Sequence, residues 1–333
     1  MDIFNELKID GKVKILITGV AGFIGSNLLE FLLKKDFFIR GLDNFETGSQ
    51  SNIDSAIKEA SKLNKNIKFE FIKGDIRNKE DCINSTKNIN IVLHHAALGS
   101  VQRSFDNPID SSLTNINGTL LMLKASLENN VSRFIYASSS SIYGDSEKLP
   151  KVETMPPNPK SIYALTKLSA EYYCRLFYRL YKLNTITLRY FNVFGKRQNP
   201  DSIYSAVIPI FIKNIIKNKV LVIYGDGDQS RDFTHIDNVL RANYLAINSN
   251  NNTISGNYYN IACNKNTSLK GITDILSKSL NKDIKIIYER ERIGDIKHSL
   301  ASIKKAGKDL LYKPTTYIKD GLLKYLEQFD YSK

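Results

Sequence analysis

The apolar run Lys12–Thr18 (KVKILIT) passes directly into Gly19-Val-Ala-Gly22-Phe-Ile-Gly25. A short, nearly continuous apolar run reads as a buried parallel strand. After the turn, Phe23–Lys35 places Phe23, Ile24, Leu28, Leu29, Phe31 and Leu32 at helical spacing. A strand, a G-x-x-G-x-x-G turn and a helix in immediate succession leave few folds open. The glycines let the backbone turn tightly, approach a pyrophosphate and pack helix on strand. The helix start at Phe23 and Ile24 offers unpaired N–H groups at the positive end of its dipole. Phe37–Leu42 reads as a second strand ending at Asp43, 18 residues past Gly25. A carboxylate there can accept from both hydroxyls of an adenosine ribose and repels a 2′-phosphate. With Asn44 beside it, and Gly74-Asp75-Ile76 placed to border an adenine, the pattern predicts NAD over NADP. Arg40 pulls slightly the other way.

Lys68–Ile72, Ile89–His94 and Arg133–Ala137 are further short apolar runs, and Thr119–Glu128 has helical spacing. This alternation predicts an α/β fold, a doubly wound parallel Rossmann sheet, with a smaller C-terminal α/β substrate domain. Asn44–Asn66 is polar and reads as a surface loop with a short helix. Lys148–Lys160 carries four prolines and reads as a loop crossing the sheet edge. A long helix over Ile162–Tyr181 and a strand over Thr185–Arg189 follow. The expected division is a dinucleotide-binding domain over 1–189, with a segment near 229–263 returning to it, and a substrate domain over 190–333.

The net charge of +13 raises the question of a nucleic-acid partner. The lysines are spread along the chain and mixed with asparagine, so drift in composition explains them better. A basic surface still favours an anionic substrate. Three scattered cysteines (Cys82, Cys174, Cys263) and four histidines have neither disulfide nor metal spacing. Without an apolar signal core or a run of membrane-helix length, the expectation is a cytoplasmic protein. His94 and His95 end an apolar strand and are expected to bond locally.

Two features point to chemistry. Arg133–Ala137 runs into Ser138-Ser-Ser-Ser-Ile-Tyr-Gly144, placing serines at a strand's carboxyl end, where open α/β sheets bind ligands. No G-x-S-x-G elbow marks a serine hydrolase. Tyr163 and Lys167 lie four apart on the long helix and share a face. A phenol has a pKa of about 10, and a nearby cation favours the phenolate.

The glycine turn, the serines before Tyr143-Gly144 and Tyr163-x-x-x-Lys167 together resemble an extended short-chain dehydrogenase/reductase over essentially the whole chain. His95-Ala96-Ala97, Arg189–Gly195 and Gly225–Phe233 are similar to that family's segments. The resemblance implies NAD bound along Gly19–Gly25, Asp43, Asn44, Asp75, Ile76, Ala96 and Ala97. It implies Tyr163 as base and Lys167 on the nicotinamide ribose, depressing the tyrosine pKa. Ser139, four before Tyr143, is the implied assistant. It also implies a homodimer built from the long helix and its Phe105–Glu128 neighbour.

Family members that eliminate water or carbon dioxide carry carboxylates just after the assisting residue; Ser140 and Ser141 stand there. Hydride removal and return at one carbon, a 4-epimerisation, remains. The chain is most similar to bacterial UDP-N-acetylglucosamine 4-epimerases. Gly99-Ser100-Val101, Ser139–Ser141 and Arg197-Gln198 match their sugar pocket, and Ala206 belongs to the same set. Asn192, Arg231 and Arg292 are expected on the diphosphate and Asp295 on the uridine ribose. Ser299, small where relatives specific for UDP-galactose place tyrosine, leaves room for an N-acetyl group. The alternatives are epimerases of UDP-glucose or of UDP-N-acetylglucosaminuronate, for which Arg103 or Lys297 could face a C6 carboxylate. An alternative of another class is a non-catalytic NAD- or RNA-binding protein.

Overall fold

The structure, a computed structural model, describes residues 13–201, 206–291 and 297–329. The chain begins β1 (Lys14–Thr18), α1 (Phe23–Leu33), β2 (Phe38–Asp43), α2 (Gln50–Ser61), β3 (Phe69–Lys73), α3 (Lys79–Thr86) and β4 (Ile91–His94). Then come α4 (Val101–Asp106), α5 (Pro108–Ser112), a π-helical turn (Leu113–Gly118), α6 (Thr119–Glu128), β5 (Arg133–Ser139) and a 3-10 turn (Ser140–Tyr143). The catalytic-motif helix is α7 (Ile162–Tyr181), followed by β6 (Thr185–Tyr190), β7 (Val193–Phe194), α8 (Val207–Ile216), β8 (Leu221–Tyr224), β9 (Ser230–Arg231) and β10 (Thr234–His235). The chain continues through α9 (Ile236–Asn248), β11 (Asn257–Ile261), β12 (Thr267–Ser268), α10 (Leu269–Leu280), β13 (Ile286–Glu289), α11 (Lys304–Leu310) and α12 (Ile318–Leu326).

Seven parallel strands form the central sheet in the order β11-β6-β5-β4-β1-β2-β3. The apolar runs are continuous because both faces are covered. In β1, Ile15 and Ile17 pack in one core with Leu28, Leu32, Val239 and Ile261. Leu16, between them, packs on the other face with Val92, Phe134 and Tyr136. The winding reverses between β1 and β4, which pair through Thr18 and His94. Ligand crevices of open α/β sheets lie at such a point, outside the carboxyl ends of the strands. Both the glycine turn after β1 and His95–Ala97 after β4 open there.

Three elements differ from the expected pattern. The polar stretch after Asp43 holds a full helix, α2, because Ile53, Ala56 and Ala60 make a buried stripe at helical spacing. β5 runs two residues further than its apolar core, so Ser138 and Ser139 sit in the ladder opposite Arg189 and Tyr190. The π-helical turn before α6 leaves no trace in hydrophobic periodicity. β11, from the segment 229–263, adds to the sheet beside β6. The rest of the C-terminal part packs α8, α10 and α12 on a separate core that includes Phe194, Phe211, Ile223 and Leu276. Among the described residues no helix is long and apolar enough to cross a membrane.

Candidate active site

The glycine turn is tight enough to exclude side chains. Gly19 has φ +72°, and a Cβ there would meet the backbone of Ala96 at 2.8 Å. A Cβ on Gly25 would lie 2.0 Å from the carbonyl oxygen of Gly19. No side chain caps α1 at Gly22. Gly19, Gly22, Phe23, Ile24 and Gly25 instead form one wall of a cavity of about 700 Å³. Asp43, Asn44, Asp75, Ile76, Ala96 and Ala97 line the same cavity, with Gly99, Ser100, Gln198 and Ala206 further along it.

Asp43 is buried, and burial pushes its carboxyl up against the pull of amide donors from Phe45 and Ala21. Those amides sit 2.8 Å from Oδ1 and Oδ2 respectively. Each carboxylate oxygen keeps acceptor capacity for a further donor. Asn44 Nδ2 donates to Asp75 Oδ2 at 2.8 Å, tying the ends of β2 and β3 together. Arg40 turns away from this cavity: it donates to Glu70 and to the carbonyls of Ser85 and Lys87. An uncapped helix start, a backbone-width turn and a ribose-height carboxylate fit a dinucleotide without a 2′-phosphate.

Ser161 caps α7 by accepting from Ala164 N at 3.1 Å. The Tyr163 amide donates to Ser104 Oγ at 3.0 Å, anchoring the helix start on α4. Ser139 at the end of β5 stands beside the Tyr163 phenol and pulls its pKa down, while burial, the larger effect, raises it. Ser139 Oγ accepts from both Ser141 N at 3.2 Å and Ser141 Oγ at 2.9 Å. Ser140 is half-buried, and its hydroxyl bonds no described residue. Lys167 is buried under the pair, and burial lowers its ammonium to about 8. The expected depression of the tyrosine by Lys167 is not what governs the phenol here. Lys167 Nζ donates to the carbonyl of Ala137 at 3.0 Å and stands 6.0 Å from the Tyr163 ring centre.

His94 bridges Thr18 and Thr119, at 2.8 and 3.0 Å. His95 meets Tyr190 OH at 3.0 Å. Burial drives His95 down to about 3 and holds His94 well below the usual imidazole range, so both are neutral near pH 7. Thr114 and Arg103 are among the residues that line the main cavity and were not expected as dinucleotide contacts. Thr114, on the π-helical turn, is 7% exposed and its hydroxyl has no partner among the described residues. Arg103 projects there from α4.

A second cavity of about 280 Å³ is lined by Asn192, Phe194, Ala206, Gln229, Arg231 and Phe233. Ala206 belongs to both walls, so the two spaces adjoin. Gln198 reaches the main cavity, but Arg197 beside it does not. Its guanidinium lies 2.6 Å from Glu30 on α1, which also takes Lys196 at 2.5 Å. Ser299 pairs its amide with Ser230 O at 2.9 Å and lies outside both walls. Arg292 and Asp295 lie outside the described residues.

Residues 15–262 match the model of the NAD dependent epimerase/dehydratase family. The chain is 35% identical over 313 residues to the UDP-glucuronate 4-epimerase of Thermodesulfobacterium geofontis, covering 92% of this chain and 93% of that protein. Among solved structures it is similar to the UDP-N-acetylglucosamine 4-epimerase of Methanobrevibacter ruminantium in complex with UDP-N-acetylmuramic acid. That match has a TM-score of 0.86 and 34% identity, over 95% of this chain and 99% of the other. The UDP-glucuronic acid 4-epimerase of Bacillus cereus, solved with UDP-glucuronic acid and NAD, matches with a TM-score of 0.85 and 34% identity. It covers 95% of this chain and 98% of that one.

Proposed function

This chain belongs to the NAD dependent epimerase/dehydratase family, and from that premise we propose that it interconverts UDP-N-acetylglucosamine and UDP-N-acetylgalactosamine. It is an NAD-dependent UDP-sugar 4-epimerase, as its relatives are. The observation that carries the reaction type is the end of β5. Ser139 stands beside the phenol of Tyr163 and lowers its pKa, and Ser140 and Ser141 stand where an eliminating enzyme needs carboxylates. Hydroxyls cannot serve as general acid and base for elimination near neutral pH, whereas removal and return of hydrogen at C4 needs only one base.

The amides of Phe23 and Ile24 with the Gly19–Gly25 turn would hold the NAD diphosphate, Asp43 the adenosine ribose and Lys167 the nicotinamide ribose. Bound there, NAD would supply a reversible hydride acceptor for C4 of the sugar. Tyr163 takes the proton of the C4 hydroxyl and gives it back to the 4-keto sugar. Ser139 donates to the phenol oxygen and so stabilises its anionic form. Asn192, Arg231 and Arg292 hold the diphosphate of the substrate, with arginine matching phosphate in a fork. Asp295 accepts from the uridine ribose. Gln198, Gly99 and Ser100 line the main cavity and Ala206 both spaces, and between them the hexose would turn over. The choice of an acetylated sugar rests on the likeness to an N-acetylglucosamine epimerase; Ser299, small but outside both cavity walls, adds only the absence of a bulky side chain at that position.

Arg103 in the main cavity wall favours a second reading, an epimerase of a UDP-uronic acid, in which the guanidinium faces a C6 carboxylate. Lys297 is less suited, since its ammonium stands 3.6 Å from Asp226. Turnover of UDP-N-acetylglucosamine, UDP-glucose and UDP-glucuronate by one preparation separates the readings. Our reading expects the highest kcat/KM on the acetylated sugar; a preference for the uronate that Arg103→Ala abolishes contradicts it.

We also propose a homodimer through α7 and its α4–α5 neighbours. Leu165, Tyr172, Leu176 and Leu180 make an exposed apolar stripe on α7, flanked by exposed Phe105 and Ile109. Patches of this kind on a soluble protein mark association surfaces. Sedimentation equilibrium tests it: Leu176→Glu with Leu180→Glu is expected to yield monomer, and an unchanged mass contradicts it.

A further inference from the structure

Behind the catalytic residues lies a buried ion pair that the reaction as described does not use. Glu171 follows Lys167 by one helical turn on the same face of α7 and is 1% exposed. Arg189 on β6 is 3% exposed. Its Nη2 meets Glu171 Oε1, and its Nε donates to Oε2 at 3.0 Å. The second donor to Oε2 is Ser138 Oγ, at 3.1 Å. Ser138 and Arg189 are register partners on neighbouring strands, so one carboxylate ties the ends of β5 and β6 to the catalytic helix. From Arg189 the chain continues: Nη1 donates to Tyr143 OH at 2.7 Å, and Tyr143 OH donates to Asn260 Oδ1 at 2.7 Å. Asn260 Nδ2 then reaches the carbonyls of Lys151 and Ser302.

Such a pair is a poor way to gain stability. Desolvating two charges offsets most of their attraction, and well-packed apolar residues do as well or better. Its location suggests another use. Ser138 immediately precedes Ser139, and Glu171 lies two turns beyond Tyr163. The distance between Ser139 Oγ and the phenol depends on how the end of β5 sits against α7. Packing of Phe134 and Tyr136 on Ala170 and Cys174 seats the two elements, and at the end of β5 the Lys167 contact to Ala137 and the Ser138–Glu171 bond tie them by polar contacts. We infer that Glu171, locked by Arg189, is a positioning residue that holds the Ser139–Tyr163 pair at working distance through Ser138. The inference rests on Tyr163 being the base.

The test compares purified holoenzyme carrying Ser138→Ala, Glu171→Gln or Tyr163→Phe with wild type, using UDP-N-acetylglucosamine protonated or deuterated at C4. Ser138→Ala and Glu171→Gln are expected to lower kcat at least tenfold, keep KM within twofold and retain NAD. The isotope effect on kcat should rise, because the hydride step becomes limiting; a residue that merely supports the fold would move the melting temperature and not the isotope effect. Glu171→Gln leaves Arg189 without its counter-charge, and if that variant does not fold, Ser138→Ala decides alone. Wild-type kcat in Ser138→Ala beside an inactive Tyr163→Phe overturns this inference and leaves the base assignment standing. Full activity in Tyr163→Phe overturns both.

Discussion

Ser141 donates twice to one oxygen of Ser139, from its amide at 3.2 Å and its hydroxyl at 2.9 Å. A hydroxyl oxygen has two acceptor sites, so both are occupied and the Ser139 proton is left to donate elsewhere, with the Tyr163 phenol beside it. In the proposed mechanism Ser141 thereby orients the assisting Ser139 rather than only facing the sugar. Replacing it by alanine leaves the amide alone and frees the Ser139 hydroxyl to rotate. We predict that Ser141→Ala lowers kcat about five- to tenfold, on the scale of one hydrogen bond, with KM nearly unchanged. Steady-state kinetics checks this; a raised KM with unchanged kcat would mean that Ser141 binds the sugar directly.

The phenol of Tyr163 is raised by burial and pulled back by Ser139. A base works only when deprotonated, so the acid limb of kcat against pH reports this group in the loaded enzyme. Removing the donor raises the phenol further. Ser139→Ala is therefore expected to lower kcat and to move that limb to higher pH. A limb that stays in place, or moves to lower pH, contradicts the assigned direction of the bond.

Asp43 holds the backbone of Ala21 and Phe45 through the same carboxylate that would meet the ribose. Asp43→Asn substitutes a donor for one acceptor at that position. The variant is expected to bind NAD at least tenfold more weakly than wild type, measured by titration calorimetry on protein stripped of nucleotide. Unchanged affinity would show that the ribose contacts another group.

Glu30 on α1 pairs with three cations: Lys34 at 2.5 Å, Lys196 at 2.5 Å and Arg197 at 2.6 Å. Its desolvation is outweighed by these partners, which hold the carboxyl down at about 2. A carboxyl depressed in the folded state contributes stability above its unfolded pKa and loses it as pH falls toward the folded value. Glu30→Gln is thus expected to cost about 3 kcal/mol at pH 7, in the range for breaking a buried pair. The gap to wild type should narrow between about pH 4.5 and 2. Urea unfolding at several pH values measures it, and a gap independent of pH contradicts the assignment.

Much of the sheet, and the meeting of the expected residues around one cavity, was legible in the chain, because continuous apolar runs and backbone-width glycines are local signals. Gly19–Gly25, Asp43, Asp75 and Ala96 all meet at the reversal between β1 and β4. What stayed hidden depends on distant pairing. Glu171 and Arg189 become neighbours only when β6 docks beside β5 under α7. Arg197 sits next to Gln198 in sequence, yet with φ +63° its side chain turns to Glu30 while Gln198 faces the cavity. Thr114 reaches the cavity from a π-helical turn, whose extra residue per turn has no compositional mark. The dependence of Tyr163 on burial also escaped a reading of spacing, since i,i+4 proximity to Lys167 does not say where the ammonium donates.

The most direct test of the central claim is C4 inversion by purified protein given UDP-N-acetylglucosamine and no added NAD. The account predicts interconversion with UDP-N-acetylgalactosamine to a fixed ratio from either side, and none with Tyr163→Phe. Wild-type turnover by Tyr163→Phe, or a wild type that inverts only a uronate or expels water to a 4-keto-6-deoxy sugar, would contradict it.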